Sequence, residues 1–106
     1  MKRDTAALAF FAGAAVFLAA PAAAADADVL AMVRRHCGAC HAAQPTHQAF
    51  AEAPKNVVLE TEADLKKHAA MVYEQTIETR SMPLGNETGM TEEERAALGR
   101  WLKAGK

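Results

Sequence analysis

Five consecutive residues, Cys37-Gly38-Ala39-Cys40-His41, concentrate most of the chemistry in this chain. Thiols three positions apart share one face of a helical turn, so both can reach one edge of a flat ligand. Gly38 and Ala39 are small enough to let that edge approach the backbone. His41 comes next and can turn an imidazole nitrogen onto a metal held beside the thiols. C-x-x-C-H is the pattern of c-type haem attachment. It predicts one haem c, covalent through Cys37 and Cys40, with His41 as the proximal iron ligand. Other uses of paired thiols fit less well. A thioredoxin-like dithiol needs a βαβ context, and no strand pattern is visible. A zinc site needs four ligands, and His36, His47 and His68 are not suitably spaced to complete one. A short-loop disulfide is open to an exported protein. The absence of other cysteines and the histidine directly after Cys40 favour haem over it.

The sixth iron position needs a donor from elsewhere. Met32 and Met71 fall inside predicted helices and are expected to pack in the core. Met82 lies in an irregular loop between two helices, followed by Pro83, which restricts how the backbone presents the sulfur. Met82 is therefore the expected axial ligand. Met90, one residue before a helix cap, is expected to pack at the start of the last helix. It and His47 are the other candidates, along with an open site. Among supporting residues, Pro54 is expected to offer its carbonyl to the far nitrogen of His41. Arg80 is a candidate partner for a haem propionate, or else a solvated helix end. Trp101 is expected to pack where the first and last helices cross, with a propionate hydrogen bond as the alternative. His36 and His68 read as partly buried structural residues and His47 as exposed. No carboxylate pair or nucleophile–base arrangement for catalysis is visible.

Three helices must position these groups. Residues 1–25 come off first. Lys2 and Arg3, the apolar run from Thr5 to Ala20, Pro21 and then Ala23-Ala24-Ala25 predict a secretory signal peptide cut before Asp26. The apolar run is short for a membrane span. The 81 residues from 26 to 106 form one domain with ten basic and twelve acidic side chains. That balance gives no case for a nucleic-acid partner. Few large apolar side chains remain, so a buried prosthetic group would supply missing core. Asp28 is expected to cap a helix whose face carries Val29, Met32, Val33 and His36. Residues 42–60 read as a long loop. Thr61-Glu62-Ala63-Asp64 resembles a capping box and starts a helix running to about Thr79, with Leu65, Ala69, Val72 and Thr76 on one face. Residues 81–90 carry Pro83, Gly85, Asn86 and Gly89 and read as a second loop. Thr91 and Glu94 form a capping box for the last helix, with Ala97, Leu98, Trp101 and Leu102 inward and Gly105 after its end.

Cys37-Gly-Ala-Cys40-His41, with Met82-Pro83 downstream and Trp101 on the final helix, resembles the class I cytochrome c family. The resemblance covers most of 28–104. It implies an all-α cytochrome c fold, with three or more helices around one covalent haem and the first and last helices crossing. Carried over by position, Cys37 and Cys40 are the thioether sites, and His41 and Met82 the axial ligands. Pro54 matches the proline behind the axial His in approximate position. The family often has a glycine two turns before the first cysteine. Here Val29 and Ala31 occupy that neighbourhood, which implies a looser crossing. Thr79-Arg80-Ser81-Met82-Pro83-Leu84-Gly85-Asn86, Thr88-Gly89-Met90-Thr91 and Glu93-Glu94-Arg95 are further similar to the cytochrome c domain of membrane-bound bacterial urate hydroxylases. So are Cys40-His41-Ala42-Ala43-Gln44-Pro45-Thr46 and Pro54-Lys55-Asn56-Val57-Val58-Leu59. In that family the domain follows a multi-helix membrane domain and passes electrons from purine oxidation to the respiratory chain. The resemblance implies a detached version with its own leader.

The expectation is a periplasmic monohaem electron carrier rather than an enzyme, not embedded in the membrane once the leader is removed. Its partners would be a membrane oxidoreductase as donor and an oxidase or another cytochrome as acceptor. Docking is expected at a haem edge near Cys37 and Cys40, with Arg34 and Arg35 steering an acidic partner or serving only as surface charge. A gas-binding sensor would need an open sixth position. A peroxidase would need that and a distal acid–base residue. An obligate dehydrogenase subunit would copurify with its membrane partner.

Overall fold

Thr61 and Thr91 each stand before a run of good helix formers, and each closes a capping box with the carboxylate three residues on. The computed structural model describes residues 26–105, and the predicted signal peptide lies outside them. Helix α1 spans Asp26–Cys37 and buries Val29, Met32, Val33 and His36, the face expected from their spacing. Asp28 lies within this helix instead of capping it. Val29, beside the position where a crossing glycine would stand, is fully buried.

The long loop after α1 contains a 3₁₀ turn at Pro54–Asn56, where Lys55 and Asn56 take the left-handed conformation (φ 56° and 60°). Arg34 ties the end of this loop to α1 by donating from Nε and Nη2 to the Glu60 carbonyl at 3.2 and 2.9 Å. The second predicted helix is divided. α2 spans Glu62–Lys67 and α3 spans Ala69–Tyr73, with His68 breaking the path at φ −106°, ψ 19°. A π-helical turn, Glu74–Glu78, then widens the last turn. Leu65, Val72 and Thr76 remain on the buried face. The Thr76 hydroxyl donates to the Val72 carbonyl at 2.7 Å, so its burial leaves no unpaired group there.

Residues 79–91 form the second loop, with a cis Met82–Pro83 bond and a 3₁₀ turn at Leu84–Asn86. The Asn86 side chain closes it by pairing with both main-chain groups of Met90. Helix α4 spans Glu92–Lys103 and buries Arg95, Leu98, Gly99, Trp101 and Leu102. Gly105 follows it with φ 76°, a conformation that suits glycine just past a helix end. Gly99 allows α4 to approach the π-helical turn. A β-carbon there would stand 3.1 Å from Cδ1 of Ile77.

The described residues are helical with irregular connections and contain no strand, so the fold class is all-α. α1 packs on α4, and α4 packs on α3 and the π-helical turn. One apolar cluster joins them, with Leu65, Leu98, Val29 and Val33 at its driest point and Met90 and Trp101 included. Trp101 thus packs on α1 and α4 as expected. Its indole N–H donates to the Asp26 carboxylate at 2.8 Å. No described helix is long and apolar enough to cross a membrane.

Candidate functional site

After Cys37 the chain leaves α1 in a tight turn. The Cys40 and His41 amides donate back to the Cys37 carbonyl at 3.2 and 2.8 Å. The turn presents Cys37, Cys40 and His41 to one hollow with about 650 Å³ of empty space, shared with His36, Phe50, Pro54, Met82, Pro83 and Leu84. A second hollow of about 580 Å³ lies alongside. His41, Pro54 and Met82 line it as well, with Lys55, Val57, Leu59, Met71, Val72 and Gln75. His41, Pro54 and Met82 thus border both hollows, each of them largely apolar. Largely apolar clefts with a few convergent polar groups are the usual form of a small-molecule or cofactor site.

The orientation of His41 is set by the main chain. Its Nδ1 lies 2.8 Å from the Val57 carbonyl oxygen. A carbonyl can only accept, so Nδ1 carries the proton and Nε2 keeps its lone pair. This corrects the expectation for Pro54. The Pro54 carbonyl instead accepts the Val57 amide at 3.0 Å, closing the 3₁₀ turn that aims the Val57 carbonyl at the ring. Pro54 contributes its ring to the wall of both hollows. The Leu59 amide, bonded to the His41 carbonyl at 2.7 Å, fixes the same segment from the other side.

Cys37 and Cys40 are free thiols. Burial, and then the neighbouring Cys40, push Cys37 up to about 11, and burial followed by Glu87 raises Cys40. Both shifts run opposite to the lowered pKa of a reactive dithiol centre. Gly38 has a local reason of its own, because a β-carbon there would stand 2.5 Å from the Arg34 carbonyl oxygen. No described cluster of three or more His, Cys, Asp or Glu side chains could hold a metal ion.

The candidate sulfur and nitrogen donors separate cleanly. Met82 borders both hollows, whereas Met90 is buried in the core. Met71, expected in the core, is 42% exposed and lines the second hollow. His47 is half-buried rather than exposed. Its Nδ1 accepts from the Ala49 amide and its Nε2 meets Glu87 at 3.1 Å, so neither nitrogen is spare. His36 is buried, as expected, between Thr88 at 2.8 Å and Glu94 at 3.0 Å.

Arg80 is not at the hollow. It sits in the left-handed conformation (φ 60°) just after the π-helical turn and pairs with Glu92. Arg35 is paired with Glu94 at 2.6 Å, and Arg34 is bonded to the Glu60 carbonyl, so neither is an unengaged steering cation. The residue absent from the expectations is Arg95. Only 5% exposed, it donates from one guanidinium nitrogen to the carbonyls of Thr76 (2.6 Å) and Met82 (2.9 Å). Its place on the buried face of an amphipathic helix and in the Glu93-Glu94-Arg95 stretch marked the position, and neither indicated the partner.

No protein-family model, curated protein or solved structure matches the chain.

Proposed function

We propose that this protein is a monohaem c-type cytochrome that carries single electrons outside the cytoplasm. The observation that supports the reading most is the convergence of Cys37, Cys40, His41 and Met82 on one apolar space. The donor set fits the group. Two thiols stand on one side for thioether bonds, and an imidazole has its Nε2 lone pair left available by the Val57 hydrogen bond. A thioether borders the same space, and the wall is otherwise apolar. A bound haem would supply one-electron chemistry by cycling its iron between the ferric and ferrous states.

The chain's own residues would hold and tune that group. Val57 fixes the ring and tautomer of His41 and raises its basicity as a ligand. Phe50, Pro54, Pro83 and Leu84 exclude water from the space, and a dry surround together with a thioether ligand favours a higher reduction potential. Leu84, 47% exposed beside the two cysteines, marks the side on which a redox partner would approach. The resemblance to the cytochrome domain of urate hydroxylases points to a membrane oxidoreductase as electron donor. Reduction by urate-oxidising membranes above a urate-free control is the measurement for that partner.

The test of the cytochrome reading is the visible spectrum of the exported protein in both redox states. A low-spin ferrous c-type spectrum and a weak far-red sulfur-to-iron band in the ferric form are expected. Met82→Ala should abolish that band and let the ferrous protein bind carbon monoxide. A high-spin ferric spectrum in the unaltered protein would refute Met82 ligation and favour a gas-binding site.

A further inference from the structure

A buried arginine without a carboxylate partner needs explanation, because desolvating a charge is costly unless its hydrogen bonds are made. Among the described residues Arg95 makes no ion pair, and its Nε–H has no hydrogen-bond partner. Its bonds are made by a single nitrogen, Nη1, which bridges the carbonyls of Thr76 and Met82. These belong to separate segments: Thr76 to the π-helical turn and Met82 to the loop that follows. The Met82 amide is held as well, donating to the Gln75 carbonyl at 3.0 Å. Both main-chain polar groups of Met82 are therefore fixed, one by the helix end and the other by α4.

The π-helical turn makes this possible. A helix leaves its last carbonyls without partners. Here the wider turn, closed by the Thr79 amide on the Glu74 carbonyl at 2.8 Å, leaves the next two carbonyls to the loop and to Arg95. Met82 is consequently tethered to a rigid element although it lies in an irregular segment.

We propose that Arg95 is a positioning residue for the Met82 sulfur, holding the loop so that the thioether faces His41 across the cofactor space. This rests on the reading of Met82 as the axial donor. A side chain lacking the donor at position 95 releases the Met82 carbonyl and lets the thioether leave while the helices remain packed. A lysine ammonium carries enough protons to serve both carbonyls and preserves the tether.

The experiment uses the haem-loaded exported protein with Arg95→Leu, Arg95→Ala and Arg95→Lys, and Leu102→Val as a control that weakens the same helix away from Met82. The far-red ferric band and the far-ultraviolet helix signal are followed together through a urea titration, and carbon monoxide binding is measured in native buffer. In Arg95→Ala, and in Arg95→Leu if it folds, the band is expected to disappear at lower urea than the helix signal. Carbon monoxide binding should rise roughly tenfold, the effect of losing one charge-assisted hydrogen bond. Arg95→Lys should restore both, and Leu102→Val should shift band and helix together. If Arg95→Ala also shifts them together and binds carbon monoxide like the unaltered protein, Arg95 is only a packing residue and the proposal is overturned with Met82 ligation intact. Absence of the band from the unaltered protein would overturn both readings.

Discussion

A β-carbon at position 38 would lie 2.5 Å from the Arg34 carbonyl oxygen, a main-chain atom that cannot rotate away. Gly38→Ala should therefore destabilise the protein by about 1–3 kcal/mol, as overpacking generally does. Thermal unfolding checks this, and a variant as stable as the parent would show that the turn shifts freely. The sequence pointed to Gly38 through ligand access, whereas the constraint in the structure is the helix it leaves. The same contrast runs through the site. Cys37, Cys40 and His41 were legible because they are adjacent and their types are specific. The acceptor for His41 was not, because two left-handed residues, Lys55 and Asn56, turn the chain so that Val57 rather than Pro54 faces the ring. Arg95 was hidden for a related reason. It reaches main-chain carbonyls 13 and 19 residues back, and carbonyls carry no side-chain signature.

Among the elements, the starts of helices were the most legible parts, since a capping box is a local pattern with a local cause. Both predicted boxes form, including the one with Asp64 in the usual Glu position. The division of the middle helix at His68 and its π-helical ending were not foreseen, because apolar spacing cannot distinguish one long helix from a broken one on the same face. The box at α4 also makes a pH prediction. The Thr91 amide, then Arg35 and His36, hold the Glu94 carboxyl down to about 2 from its ordinary 4.5. A lowered folded-state pKa means that the unfolded chain binds more protons in that window. This contribution is full above about pH 4.5 and is lost as pH falls towards 2. Glu94→Gln should flatten the fall in stability across that range, measured by urea unfolding at several pH values. Thr91→Ala should cost about 1 kcal/mol at neutral pH, as cap removal does.

At the scale of the whole molecule, the described core is small, and much of the space beside it is bordered by cysteines, two histidines and methionines rather than filled by side chains. A chain of this length has little margin. The double variant Cys37→Ala, Cys40→Ala, made without covalent haem, should melt at least about 10 °C lower than the loaded protein, at roughly 4–8 °C per kcal/mol for a domain of this size. Equal melting temperatures would mean that the space contributes nothing to stability when filled. One more feature bears on how such a space is filled in the first place. His36 meets Thr88 and Glu94 across 52 and 58 residues of sequence, and Trp101 meets Asp26 across 75. Closing a loop of such length costs about 3–4 kcal/mol in chain entropy from its length alone. Contacts so distant are slow to form compared with the local turn that carries the two thiols. During folding, Cys37 and Cys40 would therefore stand on an open chain, accessible to an attachment enzyme, before α4 swings in. The topology orders the events: the local turn that carries the thiols forms early, and the latch between the two ends of the domain comes last.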